Sequence, residues 1–394
     1  MSQDHTANQL RSWALVGVLA ASTFPIMSGA VIVPALNELR VAFELGSVGA
    51  AALVTAHTIF IAIGSPLAGI AIDRVGAKLP LICGLVGFGL FGGAGALTPT
   101  VGWLVVTRIP FGLATGFIFT AITVVILQGT SGDRRNTVMG WRAASNQLGG
   151  IVYPTIGGFA AIATWQGAFV VYAASLPIAL LVLVTLPDDK PGGRPPSGVL
   201  RLIRRDSRLL RLFLAAFSAY AALYVIVIFV PQLLETVGLG SAAIVGLFLS
   251  AMNLAAFVVA SMYGRIRRSL GPGVLLWLAG GLYVTSALIL LALTASASIV
   301  VAMLMFGTAH GLVVPALTVS VGNCAPPPMR GRVTSGLGVT NYLGQFSSAY
   351  MAAPLVIVFG LAGSFALLGL AGAIVAVAGS RAAEASRTQI GDET

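Results

Sequence analysis

Three side chains in this sequence have chemistry that does not suit their surroundings. Arg108 lies in VVTRIPFGLATG, His57 in VTAHTIFIAIG and His310 in FGTAHGLVVP, all within long apolar runs. A guanidinium in hydrocarbon is costly unless paired or wetted, so an intramembrane cation is read first as functional. Arg108 sits six residues after Gly102, about 9 Å into its helix at roughly 1.5 Å per residue. There it can bias the protonation of a nearby acid, bind an anionic group, or snorkel to the interface. An imidazole, with an ordinary pKa near 6.5, suits proton exchange; a permanently neutral, hydrogen-bonded histidine is the plainer reading. All twelve Asp and Glu fall in loops, in tails or at the ends of apolar runs. Among them are Glu38 and Glu235.

A second cluster stands in GSPLAGIAIDRVGAK, Gly64 to Lys78, where an apolar run stops. Gly69, Asp73, Arg74, Gly76 and Lys78 make a charged hairpin. An Asp at a helix end can accept hydrogen bonds from N–H groups at a neighbouring helix N-terminus, helped by that helix's dipole. Two cations holding a short loop inside the cell is the simpler alternative. Glycine and proline are abundant, 48 and 19 residues. Pro154 with Gly149, Gly157 and Gly158 is expected to bend its helix as a hinge.

The elements that carry these residues follow from composition. Of 394 residues 57% are hydrophobic and 9% charged, and mean hydropathy is +0.96. A soluble domain has about a quarter charged residues, so the solvent of this chain is lipid. Twelve runs reach the roughly 20 residues a membrane helix needs. They are 13–36, 47–71, 79–99, 102–128, 137–161, 166–186, 209–234, 242–263, 273–293, 297–321, 333–358 and 361–380. With the N-terminus inside, twenty of the 22 Lys and Arg fall on the cytoplasmic side, Arg40 outside and Arg108 within a span. That bias predicts a multi-pass protein of the inner membrane with both termini cytoplasmic. It also explains the net charge of +10 without nucleic acid. Two cysteines give no disulfide framework and no metal spacing, and no GxxxxGK[ST] loop signals ATP. No HExxH, GxSxG, paired-carboxylate or Cys/His cluster lies at membrane depth, so an enzyme is not expected, nor a cofactor or metal.

The chain also repeats. At an offset of 195, Gly69 and Gly76 match Gly264 and Gly271, Phe111-Gly112 match Phe306-Gly307, Gly116 matches Gly311, and Asn146 and Gly149 match Asn341 and Gly344. The expected organisation is an all-α membrane protein of two parallel six-helix bundles. Residues 1–186 form the first, 187–208 a linker and 209–394 the second with its tail. The linker is Pro- and Gly-rich, then turns into VLRLIRRDSRLLR, read as a basic amphipathic helix on the membrane surface or as a solvated tether.

On these residues the chain resembles the major facilitator superfamily. The 69–78 loop looks like that family's signature loop between helices two and three, departing at Ala77. Arg108 in TRIPFGLATG resembles the fourth-helix motif of its proton-coupled members. GGIVYPTIGG (149–158) resembles the fifth-helix motif of drug antiporters, with Tyr153 where glycine usually stands. WQGAF, with Trp165 and Phe169, looks like the sixth-helix start of drug and sugar exporters. The resemblance implies a twelve-helix secondary transporter working by alternating access. It further implies a gating role for the 69–78 loop against the start of helix eleven near Thr334 to Gly336. A central cavity lined by Met27, Asn146, Tyr220, Tyr224, Asn253, His310, Asn341, Tyr342 and Gln345 follows too, although helix–helix glue explains each amide equally well. The function expected is proton-coupled export of small apolar or amphipathic molecules by a monomer, with lipid, substrate and protons as partners. An organic-anion exchanger using Arg108, or a non-transporting receptor or scaffold, are the alternatives.

Overall fold

The computed structural model describes residues 12–98, 100–130, 132–188, 205–292, 295–324 and 330–384. Among them every regular element is helical. Helices are forced by hydrocarbon, which offers backbone N–H and C=O groups no other partner. Side-chain hydroxyls obey the same rule by bonding back one turn, as Thr115 Oγ1 does to the Phe111 carbonyl at 2.8 Å. Large apolar side chains face outward freely; Val184 and Ile357 are each 76% exposed, a cost in water and none in lipid.

Eleven helices among the described residues are long and apolar enough to cross a membrane. The remaining expected span, the fifth, is a 29-residue helix, Gly132–Ala160. Its sequence carries Asp133, Arg134, Arg135, Arg142, Asn146 and Gln147, so composition and not length sets it apart. The first span runs further than expected, Ser12–Ala42, because it is broken into Ser12–Ala21, Phe24–Ala30, a 3-10 turn at Val33–Ala35 and Leu36–Ala42. Pro25 and Pro34 stand at the two breaks, each lacking a donor for the preceding turn. The seventh span, Ser207–Thr236, begins under the Asp206 carboxylate, which accepts from Arg208 N at 2.9 Å and from the Arg208 Nη2 at 2.9 Å. Those hydrogen bonds hold the Asp206 carboxyl below its ordinary range. The linker reading at 189–204 lies outside the described residues.

The chain divides into two compact units, one of Met1–Ala35 with Ile59–Arg194, the other of Leu36–Thr58 with Pro195–Thr394. In the first, the third span (Lys78–Leu97) packs on the fourth (Val101–Gly129) and on the sixth (Gln166–Thr185). Its centre is a ring cluster in which Phe88 meets Phe24, Phe111 and Tyr172 with centroids 5.5, 4.8 and 5.4 Å away. In the second unit, the tenth span (Ser296–Cys324) packs on the eighth (Ala242–Ser269) and ninth (Pro272–Ala292). The seventh packs on the eleventh (Arg330–Phe359) and twelfth (Leu361–Glu384).

Glycine contacts expose the repeat in three dimensions. A Cβ on Gly116 would stand 2.8 Å from the Ile61 carbonyl oxygen, and one on Gly311 would collide with the Ala256 carbonyl. Both members of each pair are related by 195 residues. The same offset relates the ring pair Phe88–Phe111, 4.8 Å apart, to Tyr283–Phe306, 4.7 Å apart.

Candidate transport site

Arg108 is built into the fourth span two turns beyond Thr100, whose side chain caps the helix by accepting from Trp103 N at 3.4 Å. The residue is 3% exposed. Its Nη2 donates to Thr107 Oγ1 at 3.1 Å and to the Phe91 carbonyl at 3.4 Å. The guanidinium carbon lies 4.7 Å from the Phe111 ring centre and 5.3 Å from that of Phe169. No acid pairs with it among the described residues. Cation–π contacts in a desolvated site are worth about 2 kcal/mol or more, which offsets part of the burial of the charge. Tyr172 closes the cluster, its ring 4.9 Å from Phe111 and its hydroxyl donating to the Ser28 carbonyl at 2.8 Å. Gly95 is needed here, since a Cβ would run into Phe169.

His310 occupies the corresponding region of the second unit. Its Nδ1 lies 2.7 Å from the Tyr283 hydroxyl. The Phe306 ring stacks at 5.8 Å and the Tyr220 ring meets the imidazole edge-on at 5.3 Å. Tyr283 was not singled out from sequence, because one tyrosine in an apolar span reads as core. The signal was present in the repeat: Phe88 and Thr115 of the first copy become Tyr283 and His310 in the second. Two apolar or self-satisfied positions thus turn into a hydrogen-bonded pair. A neutral imidazole can accept from the tyrosine O–H or donate to its oxygen; a protonated one must donate, so protonation reverses the bond wherever the neutral ring was accepting.

Other expected cavity residues are placed as follows. Met27 is fully buried in the first unit, and Asn146 is partly exposed. In the second unit Asn253 Nδ2 bonds back to the Leu249 carbonyl at 2.8 Å. Tyr224, Tyr342 and Gln345 are buried, 7 to 8% exposed. Asn341 Oδ1 is buried without a hydrogen-bond partner among the described residues. His57, 2% exposed, belongs to the segment that packs with the second unit.

That segment brings Glu38 and Arg40 into play. Glu38 Oε1 accepts from Ala242 N at 3.2 Å, Arg40 pairs with Glu235 at 2.7 Å, and Asn37 Nδ2 donates to the carbonyls of Pro231 and Gly240 at 3.0 and 3.1 Å. The end of the first span is thereby stitched to the seventh and eighth.

In the 69–78 loop, Gly76 ends the second span with φ of 83°, a conformation only glycine adopts without strain. Asp73 and Arg74 are exposed. Lys78 pairs with Asp188 at 2.8 Å. The side chains of Thr334 and Ser335, expected beside Asp73, lie outside those described. The fifth span runs unbroken through Pro154. Its Gly149 and Gly157 lie against the first span, where added Cβ atoms would meet Thr23 and Val31 carbonyls. Tyr153, where the resemblance departs, has its hydroxyl 2.6 Å from Thr23 Oγ1 at the first break of that span.

Comparison with known proteins agrees with this architecture. The multi-drug resistance efflux pump PmrA of Streptococcus pneumoniae is 25% identical over 343 residues, 84% of each chain. Multidrug resistance protein 1 of Bacillus subtilis is 28% identical over 170 residues, 42% of this chain and 44% of that one. The fold is similar to the xylose transporter XylE from E. coli, with a TM-score of 0.72 and 17% identity over 92% of this chain and 94% of the other. The sequence profile described as Major Facilitator Superfamily matches residues 18–349, and the chain belongs to that family.

Proposed function

We propose that this transporter exports small apolar or amphipathic molecules in exchange for protons. The family's members are carriers, and the chain is a multi-pass membrane transporter, not a catalyst. The single observation carrying the proposal is the His310–Tyr283 pair, a titratable group within a membrane span whose partner must accept once the proton arrives. Relatives named as multidrug efflux pumps support the substrate class. The aromatic and apolar surroundings of His310 suit neutral or weakly polar cargo better than multivalent cations. Two six-span halves rocking about a midplane site, with the 69–78 loop as a gate, supply alternating access. The asymmetry of Lys and Arg supports an inner-membrane protein with both termini cytoplasmic.

An anion exchanger finds less support. The Arg108 guanidinium is held through Nε and Nη2 by Thr107 and the Phe91 carbonyl and lies against two ring faces. Proteoliposome flux of a fluorescent amphipathic substrate, driven by an imposed pH gradient, tests the proposal. His310→Ala should lose gradient-driven flux while keeping downhill exchange, and Tyr283→Phe should shift the pH dependence of flux. Flux indifferent to the gradient in the unmodified protein would remove proton coupling.

A further inference from the structure

The second unit has a cavity of about 350 Å³ that the transport reading does not use. Arg267 and Arg268, in the last turn of the eighth span, line it together with Gly271, Ser320 and Asn323. The bias of basic residues toward one membrane side accounts for the two arginines, and so does the C-terminal dipole of their helix. Neither accounts for Ser320. It is 2% exposed, lines the cavity and makes no hydrogen bond among the described residues. Many helical hydroxyls bond back to their own backbone, as Thr318 does to the Val314 carbonyl at 2.8 Å on the same helix; Ser320, like Ser218 on the seventh span, does not among the described residues. A buried hydroxyl left open toward a cavity is poised for a ligand.

The neighbouring backbone favours negative charge. The ninth span starts here, with the Gly271 carbonyl accepting from Leu275 N at 3.1 Å; its first residue, Pro272, lines the cavity and carries no N–H, so what the helix offers is the positive end of its dipole. A carboxylate has already been drawn to it: the Glu384 side chain, 111 residues further on, lies against Gly273. Arg267 and Arg268 are exposed and make no ion pair among the described residues. Two planar guanidiniums, each able to bind two oxygens, match a phosphate group. We propose that this cavity binds a phosphate-bearing anion, either an acidic phospholipid headgroup or free phosphate. Arg267 and Arg268 neutralise it, and Ser320 and Asn323 act as uncharged donors. Its position at the ends of four spans, the eighth, ninth, tenth and twelfth, is where headgroups lie.

The test uses the full-length protein in a neutral detergent. Thermal unfolding is followed against dihexanoylphosphatidylglycerol, dihexanoylphosphatidylcholine and sodium phosphate at constant ionic strength. Phosphatidylglycerol should raise the melting temperature, and phosphatidylcholine should not. An equal rise with phosphate alone assigns the site to free phosphate; a rise with the lipid alone assigns it to a headgroup. Arg267→Gln with Arg268→Gln should move the midpoint to about tenfold higher concentration, the effect of losing a charge-assisted hydrogen bond. Ser320→Ala should weaken binding several-fold in the same sense, and Glu384→Gln should tighten it by removing a competing charge. No rise with either anionic probe, an equal rise with phosphatidylcholine, or midpoints indifferent to all of these substitutions would overturn the proposal.

Discussion

A guanidinium laid against two ring faces gains from both because it is flat. Arg108 meets Phe111 and Phe169 in this way, and a lysine cannot, since its ammonium is compact and strongly hydrated. Arg108→Lys keeps the charge that burial penalises and loses the plane that rewards it. Arg108→Met discards the charge and fills much of the same space. Stability should therefore fall in the order Met at or above wild type, then Lys, with Lys lower by about 1–2 kcal/mol. Thermal unfolding of the three purified proteins measures this, and a lysine variant as stable as wild type would refute the stacked arrangement. The sequence made Arg108 conspicuous because nothing around it is charged. Its cage was not legible: Phe91 and Tyr172 sit in the third and sixth spans without distinction, and Phe169, noted for its place in WQGAF, gave no sign that it faces Arg108. His310 was conspicuous for the same reason as Arg108. Tyr283 becomes so when the two copies are aligned at their 195-residue offset, which sets it against Phe88.

Between helices, glycine sets the closest approach. Gly311 and Gly116 let a neighbouring carbonyl into the space a methyl would fill, whereas Gly281 on the ninth span has nothing within 4 Å. Gly311→Ala should destabilise by about 1–3 kcal/mol through overpacking. Gly281→Ala should be neutral or stabilising by up to about 1 kcal/mol, since alanine is the better helix former. Equal effects of the two in a thermal unfolding assay would show that propensity, not close packing, decides. The spans themselves were legible from hydropathy because lipid imposes one simple rule on every segment. Their ends were less so: the second span begins at Ser47 as expected but runs to Val75, where Gly76 supplies the turn. The breaks in the first span were hinted at by Pro25 and Pro34. The hydroxyl contact from Tyr153 to Thr23 that accompanies the first break joins residues 130 apart, beyond any local pattern.

At the scale of the molecule, duplication was the most informative signal, and it survives as geometry in rings and glycines related by one offset. What the repeat did not foretell is that the contact boundary ignores the sequence boundary. Leu36–Thr58 is written in the first copy yet packs with the second unit. Asn37, Glu38 and Arg40 fasten it to the seventh and eighth spans, and peptide bonds fasten it to the first unit at both ends. If the chain is severed between residues 194 and 195 and the two pieces are produced together, a tag on either should retrieve both, and transport should return. Asn37→Ala combined with Arg40→Ala should loosen that retrieval. Pieces that purify separately would mean the loop of chain is only a neighbour. A segment encoded in one copy and packed with the other gives the polypeptide a non-covalent tie that a cut in the main chain would leave in place.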